Sequence, residues 1–517
     1  MPTNIEGRRD ATRDVTVVKG YRLGILGAVA VGLLITLFIP DSGPEPAPIP
    51  DSHPFRWDRA ELFAKLEEDF QASRSSTLEA TREIFDGLEQ DGLRAIEEIE
   101  RGGSSVPVEA LARLESIQFE LAAHAAAHAP LLPRAHGFIQ EARFTVMRTA
   151  RAWPLDRAEV HAAVYRVIYG GRSAIEEALA QTGSAVLPAL VHLEDIPSST
   201  PWTEVAGVRV HSGDILLSRG GAPTSALIAR GNDFPGVFSH AALVHVARET
   251  GEATVIEALI ERGAVLSTPE EYLEAKKLRI LLLRPRPGLD ALELDPLAPH
   301  EAASVMLARV REGEVRYDFP MDWEDPEKLF CSEVPYHAYR AVGIDLWAVQ
   351  SEMSEPGLMR WLASLGVRHF TTLVPSDLEY DPRLGAVAEW RDVSTLRQHR
   401  FDNVILDVLL EGADRGDRLG YAWYYLPVAR MVKGWSVAQA ILGGVPKIPT
   451  GMSAPTALRV DALSHRIHPA LRASIEGKAA AFLDEKGYEA PYWVLFEMAR
   501  EALEENRARL APALRGP

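Results

Sequence analysis

The spacing of apolar residues divides most of the chain into two helical regions with a mixed region between them. From residue 55 to 195, stretches such as "TLEATREIFDGLEQDGLRAIEEIERGG" repeat apolar residues at helical intervals on a background rich in Glu and Arg. The same period returns from residue 385 to the end, as in "VSTLRQHRFDNVILDVLLEGAD". The pattern therefore predicts a helical bundle over 55–195 and a helical C-terminal region over 385–517.

Residues 196–384 follow a different pattern. Short apolar segments bounded by Gly, Pro and Asp predict β-strands in "VRVHSGDILLSRG", "HAALVHVARE", "ATVIEALI" and "LRILLLRP". Helical spacing follows some of these strands, in "TPEEYLEAKK" and "PHEAASVMLARVREG". This region is predicted to form an α+β domain.

A continuous apolar segment lies near the N-terminus, over residues 23–39, with Thr36 as its only polar residue. As a helix it would be about 25 Å long, at the short end for crossing a bilayer. Five Lys or Arg residues lie in the leader 1–22, and none follows the segment before Arg56. The positive-inside rule then predicts a transmembrane anchor with a cytoplasmic leader.

A cleaved signal peptide is the alternative to this anchor. The charged leader is long and no small-x-small cleavage site follows the apolar segment, so an uncleaved anchor is favoured. Residues 40–54, with six prolines, are predicted to be an extended linker. The expected location is the inner membrane, with a single span and most of the chain in the periplasm or otherwise outside the cytoplasm.

Charge and composition narrow the possible partners. The net charge of −18 argues against a nucleic-acid partner, and a single cysteine excludes an intramolecular disulfide and multi-cysteine zinc sites. His124 and His128 share a helical face, with His136 beyond, but the segment lacks the Glu of a zincin, and no metal or cofactor is predicted. The aromatic-rich stretch 419–435 is expected to be a buried helix; contact with lipid or a hydrophobic substrate is the alternative.

The single cysteine, Cys331, is either a small buried hydrophobe or a nucleophile. It follows a loop rich in Asp and Pro and opens the helical pattern "CSEVPYHAYRAVG". Proline is tolerated only near the start of a helix, so Pro335 predicts a helix that begins at or just before Cys331. The helix dipole would then favour the thiolate.

A histidine and a carboxylate could complete such a site. His240 begins a predicted strand after a Gly-containing loop, whereas His245, five residues on, points to the opposite face and is expected to be packed. Glu257 lies inside the next apolar strand, where a carboxylate is costly to bury unless it is paired. We therefore predict that His240 pairs with Cys331 and is oriented by Glu257.

Taken in order, "SGDILLSRG", "FSHAALV", "VIEAL", "VRYDFP", "LFCSEVPYHAY" and "TLVPSDLEYDPRL" resemble the permuted papain-fold hydrolases of the YiiX-like group, relatives of NlpC-type cell-wall peptidases. The resemblance covers about residues 205–384. It implies that Cys331 is the nucleophile, His240 the general base and Glu257 the third member. Tyr317 would be either an oxyanion donor or a packed aromatic residue. Asp214 is expected to cap a turn.

The predicted fold is thus α+β: a permuted papain-like domain over 196–384, flanked by helical regions and preceded by one transmembrane helix. The resemblance implies a cysteine hydrolase that cleaves an amide bond, with cell-wall peptides as the expected substrate. A lipid amidase, esterase or acyltransferase of the same fold is one alternative. A catalytically inactive envelope scaffold, whose helical regions bind partners, is another.

Overall fold

The computed structural model describes residues 54–55, 60–182 and 187–514. The predicted leader 1–22, the anchor 23–39 and all but the last residue of the linker 40–54 lie outside these residues. Among the residues that the structure does describe, no helix has the length and apolar character needed to cross a membrane.

Within the described residues 60–182 the chain forms five helices, as the apolar period predicts. Thr77 caps the second of them by accepting a hydrogen bond from the backbone N–H of Ala80. That helix packs closely on a neighbour, because a Cβ atom at Gly92 would come within 2.3 Å of the Phe138 ring. The helices are α1 (Ala60–Arg74), α2 (Leu78–Gly102), α3 (Val108–Ala127), α4 (Leu132–Thr149) and α5 (Ala158–Thr182).

The middle of the chain contains a seven-stranded sheet in which every neighbouring pair is antiparallel, in the order β1-β11-β8-β4-β5-β6-β7. Two short two-stranded sheets, β2-β3 and β9-β10, accompany it. The strands are β1 (Leu190–His192), β2 (Trp202–Val205), β3 (Val208–His211), β4 (Ile215–Gly220), β5 (His240–Val246), β6 (Ala253–Leu259), β7 (Gly263–Ser267), β8 (Lys277–Pro285), β9 (Ser351–Glu352), β10 (Thr371–Thr372) and β11 (Leu384–Arg391).

Six helices lie between these strands, and five follow them. The first six are α6 (Pro223–Arg230), α7 (Pro269–Glu274), α8 (Asp290–Leu294), α9 (Ala298–Glu312), α10 (Glu333–Arg340) and α11 (Pro356–Leu365). The C-terminal helices are α12 (Val393–Asp414), α13 (Leu426–Ile441), α14 (Ala454–Ala462), α15 (His468–Lys486) and α16 (Tyr492–Leu514). A short 3₁₀ turn, Trp423–Tyr425, precedes α13.

The predicted boundaries at 195/196 and 384/385 are crossed by secondary structure and by core packing. Strand β1 precedes the first boundary and β11 runs past the second, yet the two strands pair with each other. One apolar core joins side chains of the N-terminal helices, such as Leu114, to strand residues such as Leu217. A second joins Trp361 of α11 to Leu406 of α12. Both helical regions therefore share cores with the sheet region.

A buried network of ion pairs also links the N-terminal helices to the sheet. Arg172 of α5 pairs with Glu379 and, at 2.8 Å, with Glu389 of β11. Arg279 of β8 donates to Glu176 at 2.5 Å and to Glu389 at 2.8 Å. All five side chains are at most about one-tenth exposed, so each charge depends on the others for compensation.

The expectation that residues 419–435 form a buried helix is wrong. This stretch holds the 3₁₀ turn and the first part of α13, and several of its large apolar side chains face outward. Trp423 is 59% exposed and Trp435 is 61% exposed. Only Leu426, Ala429 and Ser436 of α13 are buried, because the helix lies on the remainder of the protein through one narrow face.

Candidate active site

The structure brings His240 and Glu257 together across two neighbouring strands. His240 is the first residue of β5, and β6 pairs with β5 so that Glu257 lies opposite Ala242. Side chains two residues apart on a strand share a face, so both residues point to the same side of the sheet. His240 Nε2 lies 2.8 Å from Glu257 Oε2, and Ser267 Oγ donates to the other carboxylate oxygen at 2.9 Å.

Cys331 lies in the turn just before α10, and its thiol interacts with the imidazole of His240. The helix begins at Glu333, so the prediction that it begins at or just before Cys331 is wrong by two residues. Pro335 is accordingly the third residue of the helix, where a missing N–H costs little. Because His240 uses Nε2 for Glu257, Nδ1 is the ring nitrogen available to the thiol.

Electrostatics favour a charged Cys331–His240 pair. Burial opposes ionisation of Cys331, but the hydrogen bond and charge of His240 and the backbone N–H of Ala241 outweigh it and lower the pKa of the thiol. Burial likewise opposes the charge on His240, yet its hydrogen bonds with Cys331 and Glu257 raise the imidazole pKa. Despite its burial, the pKa of Glu257 is lowered by His240. The imidazolium of His240 thus stabilises the charged forms of both Cys331 and Glu257, and both raise the pKa of His240.

Tyr317 lies beside this group. It precedes the loop that leads to Cys331, and its ring packs edge-on against Phe319 at 5.1 Å between centroids. Burial and the neighbouring charge of Cys331 raise the pKa of Tyr317 well above its ordinary value. Its hydroxyl therefore stays protonated and is a potential hydrogen-bond donor near the thiol.

Residues 209–388, about a third of the chain, match a protein-family model described as permuted papain-like amidase enzyme, YaeF/YiiX, C92 family. The matched segment contains His240, Glu257, Tyr317 and Cys331, in that order. This segment is therefore similar to that family. The family is one of amidases, and the helices over 60–182 and 393–514 lie outside the match. Searches of curated proteins and of solved structures give no significant match to the chain.

Several polar residues of the permuted papain-like domain were missed at the sequence level. Lys277, the first residue of β8, lies 4.2 Å from the centroid of the Tyr272 ring and interacts with the charges of Glu257 and Cys331. Burial lowers its pKa. The Tyr272 hydroxyl in turn donates to Ser218 Oγ at 3.0 Å. The only sequence signal for Lys277 is its position as a lysine at the start of an apolar strand. That position does not indicate which residues of other strands lie near it.

Two other residues considered in the sequence analysis, His245 and Asp214, contribute to packing and turn structure rather than to the candidate site. His245 is buried and stacks on His300, as expected for a packed histidine. The Asp214 carboxylate accepts a hydrogen bond from the backbone N–H of His211 and two from the guanidinium of Arg284. It therefore caps a turn and balances the buried charge of Arg284.

The histidines of the N-terminal helices also have polar neighbours. His124 Nδ1 lies 2.6 Å from Ser73 Oγ, and His128 Nε2 lies 2.9 Å from the carbonyl oxygen of the same serine. His136 Nε2 lies 3.1 Å from Arg391. These three side chains contribute to packing between elements and lie outside the group around Cys331.

Glu333, two residues after Cys331, has a fully buried side chain. Burial raises its pKa to about 9, and the nearby charges of Asp318 and Cys331 act in the same direction. An unfolded glutamate ionises near pH 4.5, so the folded chain should lose stability as pH rises from that value towards about 9, by at most about 1.4 kcal/mol per pH unit.

We therefore expect Glu333→Gln to remove this pH dependence. The amide oxygen can still accept the backbone N–H of Phe330, which now donates to Glu333 Oε2 at 2.6 Å. Thermal melting should show similar midpoints for the variant and the parent near pH 4.5 and a more stable variant at pH 8. A difference in midpoint that stays constant with pH would contradict a protonated Glu333.

Proposed function

We propose that the chain is a cysteine amidase in which Cys331 is the nucleophile, His240 the general base and Glu257 the residue that orients the imidazole. The observation that carries this proposal is the hydrogen-bonded series from Ser267 through Glu257 to His240, with the Cys331 thiol interacting with the same imidazole. A buried thiol used only for packing needs no such series, whereas a nucleophile needs a base and the base needs an orienting acceptor.

In the proposed reaction His240 Nδ1 takes the thiol proton, and the thiolate of Cys331 attacks the carbonyl carbon of an amide. The resulting oxyanion accepts hydrogen bonds from the Tyr317 hydroxyl and the backbone N–H of Cys331. The imidazolium then gives its proton to the departing nitrogen, so an amine leaves and a thioester forms. His240 next takes a proton from water, the hydroxide attacks the thioester, and a carboxylic acid is released as the thiol is restored.

We further propose that the amide lies in a cell-wall peptide. The predicted anchor over residues 23–39 would place residues 55–517 on the side of the membrane where such peptides occur. The net charge of −18 and the absence of any predicted cofactor fit a hydrolase that acts on a peptide rather than on a nucleic acid.

The test is product analysis by mass spectrometry with the full chain on two substrates, purified wall peptides and phospholipid vesicles that contain N-acyl amides. We expect a new amine and carboxylate from the wall peptides, and loss of both products in Cys331→Ala. His245→Ala, on the opposite face of β5, should retain activity. Products from the N-acyl lipids alone would support the amidase activity but show that the substrate is a lipid amide rather than a wall peptide. No product from either, together with an unreactive thiol, would favour an inactive scaffold.

A further inference from the structure

The outer surface of α13 and of the turn before it is apolar where a protein surface is usually polar. We define the α13 surface by six side chains that are between 56% and 84% exposed: Trp423, Tyr424, Met431, Trp435, Ile441 and Leu442. Met431 and Trp435 are four residues apart and so lie on one side of the helix, and Leu442 directly follows its last residue. A contiguous exposed apolar surface of this kind usually marks an interaction site.

The composition of the surface is typical of a membrane–water interface. Its aromatic residues are Trp and Tyr, the two side chains enriched where an apolar ring meets lipid head groups. α13 buries only Leu426, Ala429 and Ser436, while its largest apolar side chains, Met431 and Trp435, are exposed. An apolar face turned away from the protein is expected for a helix that lies in the interface plane.

Charge is segregated in the same segment. Residues 418–460 contain five Lys or Arg residues and neither Asp nor Glu, within a chain whose net charge is −18. Arg418 and Lys447 are exposed at either end of the α13 surface along the chain. Cations that flank an apolar face are attracted to anionic lipid, whereas most of this acidic chain would be repelled by it.

The loop after α13 connects this surface to the candidate active site. Lys433 donates to the carbonyl oxygens of Pro449 and Thr450, at 2.6 and 2.8 Å. The next residue, Gly451, lies against Phe319, because a Cβ atom there would come within 2.4 Å of the ring. Phe319 in turn packs on Tyr317, the neighbour of Cys331. The α13 surface is therefore joined by packed residues to one wall of the site.

We propose that the α13 surface binds the interface of a membrane that contains anionic phospholipid. The Trp, Met and aliphatic side chains enter the boundary between head groups and acyl chains, while the flanking cations contact the head-group phosphates. This contact is separate from the anchor predicted over residues 23–39, and it holds the loop around Gly451, and with it the site, close to the lipid surface. It requires no chemistry at Cys331, so it stands or falls independently of the proposed amidase.

The test measures the depth of the α13 surface in a bilayer, using the full chain reconstituted into vesicles. Cys331→Ser removes the native thiol, and Met431→Cys introduces one that carries an environment-sensitive fluorophore. The matched control is Val108→Cys on α3, which is also exposed, at 54%, but lies in the N-terminal helices. Both single-cysteine variants retain the full chain, so the predicted anchor affects the two labels equally.

In vesicles with one quarter phosphatidylglycerol, we expect the label at 431 to emit at shorter wavelength. Nitroxide lipids should quench it several-fold more strongly than the label at 108. Pure phosphatidylcholine vesicles should weaken this quenching. Adding Trp435→Glu should reduce it towards the control, whereas Val108→Glu should leave it unchanged. Circular dichroism checks that each variant is folded.

Two results would overturn the proposal. One is equal quenching at 431 and 108 in anionic vesicles, which would mean that the α13 surface stays in water. The other is a shift to shorter wavelength at 431 without quenching by nitroxide lipids, accompanied by cross-linking between copies through the introduced cysteine when it is left unlabelled. The surface would then be covered by a second copy of the chain rather than by lipid.

Discussion

Replacing His240 with alanine should slow the reaction of Cys331 with iodoacetamide at pH 6 by roughly 10- to 100-fold. An ordinary thiol with a pKa of about 8.5 is less than about 1% thiolate at that pH. His240 lowers the pKa of Cys331 in the parent chain and keeps a larger fraction ionised. The higher intrinsic nucleophilicity of a thiolate with a raised pKa offsets part of the loss, which sets the lower end of the range.

The measurement is the alkylation rate across pH 5 to 9, followed by intact mass. The pH at which the alkylation rate rises matters more than the absolute rate. Cys331 is only 5% exposed, so limited access of the reagent slows the reaction in every variant. His245→Ala is the matched control, since it removes an imidazole from the opposite face of the same strand. A parent rate that rises only near pH 8.5, or equal profiles for the parent and His240→Ala, would contradict the thiolate–imidazolium pair.

Replacing Arg172 with methionine should lower the free energy of unfolding by about 3–5 kcal/mol, the usual cost of removing one partner from a buried ionic group. The substitution takes a cation away from Glu379 and Glu389, whose side chains are almost completely buried. Arg143 still contacts Glu379, and Arg279 still contacts Glu389, but neither carboxylate retains its full compensation. The N-terminal helices would also lose a contact with the sheet.

Thermal melting checks this prediction, with Arg113→Ala as the control. Arg113 pairs with Glu98 on the exposed side of the helices, where such a pair contributes at most about 1 kcal/mol. The pKa values of Glu379 and Glu389 are lowered despite burial, chiefly by Arg172. Their contribution is therefore present above about pH 4.5 and is lost as pH falls, so the gap between parent and variant should narrow in acid. A midpoint for Arg172→Met that equals that of Arg113→Ala would contradict a structural role for the network.

Local patterns were sufficient to predict most of the secondary structure. The apolar period over "VSTLRQHRFDNVILDVLLEGAD" coincides with α12, and the strand prediction at "ATVIEALI" coincides with β6 to within one residue. Periodicity succeeds here because each element buries one face, so the spacing of apolar residues along the chain reflects the type of element. The start of α10 was misplaced because Pro335 is tolerated at several positions of a first turn, and periodicity does not distinguish among them.

The candidate site was predicted in part. The sequence indicated His240, Glu257 and Cys331, through a histidine at the start of a strand, a carboxylate in an apolar run and the order of the motifs. It did not indicate Ser267 or Lys277, which approach Glu257 from β7 and β8. Their positions depend on which strands become neighbours, and the local sequence around a polar residue at the end of a strand does not identify the residue that it contacts.

The sequence by itself determined the kinds of elements, the candidate nucleophile and its two partners, and the segregation of charge in residues 418–460. Only the tertiary structure decided that β11 lies beside β8, that the helical regions share cores with the sheet, and that the apolar face of α13 is exposed. The reason is that period and composition show that a helix has an apolar face, while the neighbouring elements decide whether that face is covered. For α13 the described elements cover only the narrow side that holds Leu426, Ala429 and Ser436.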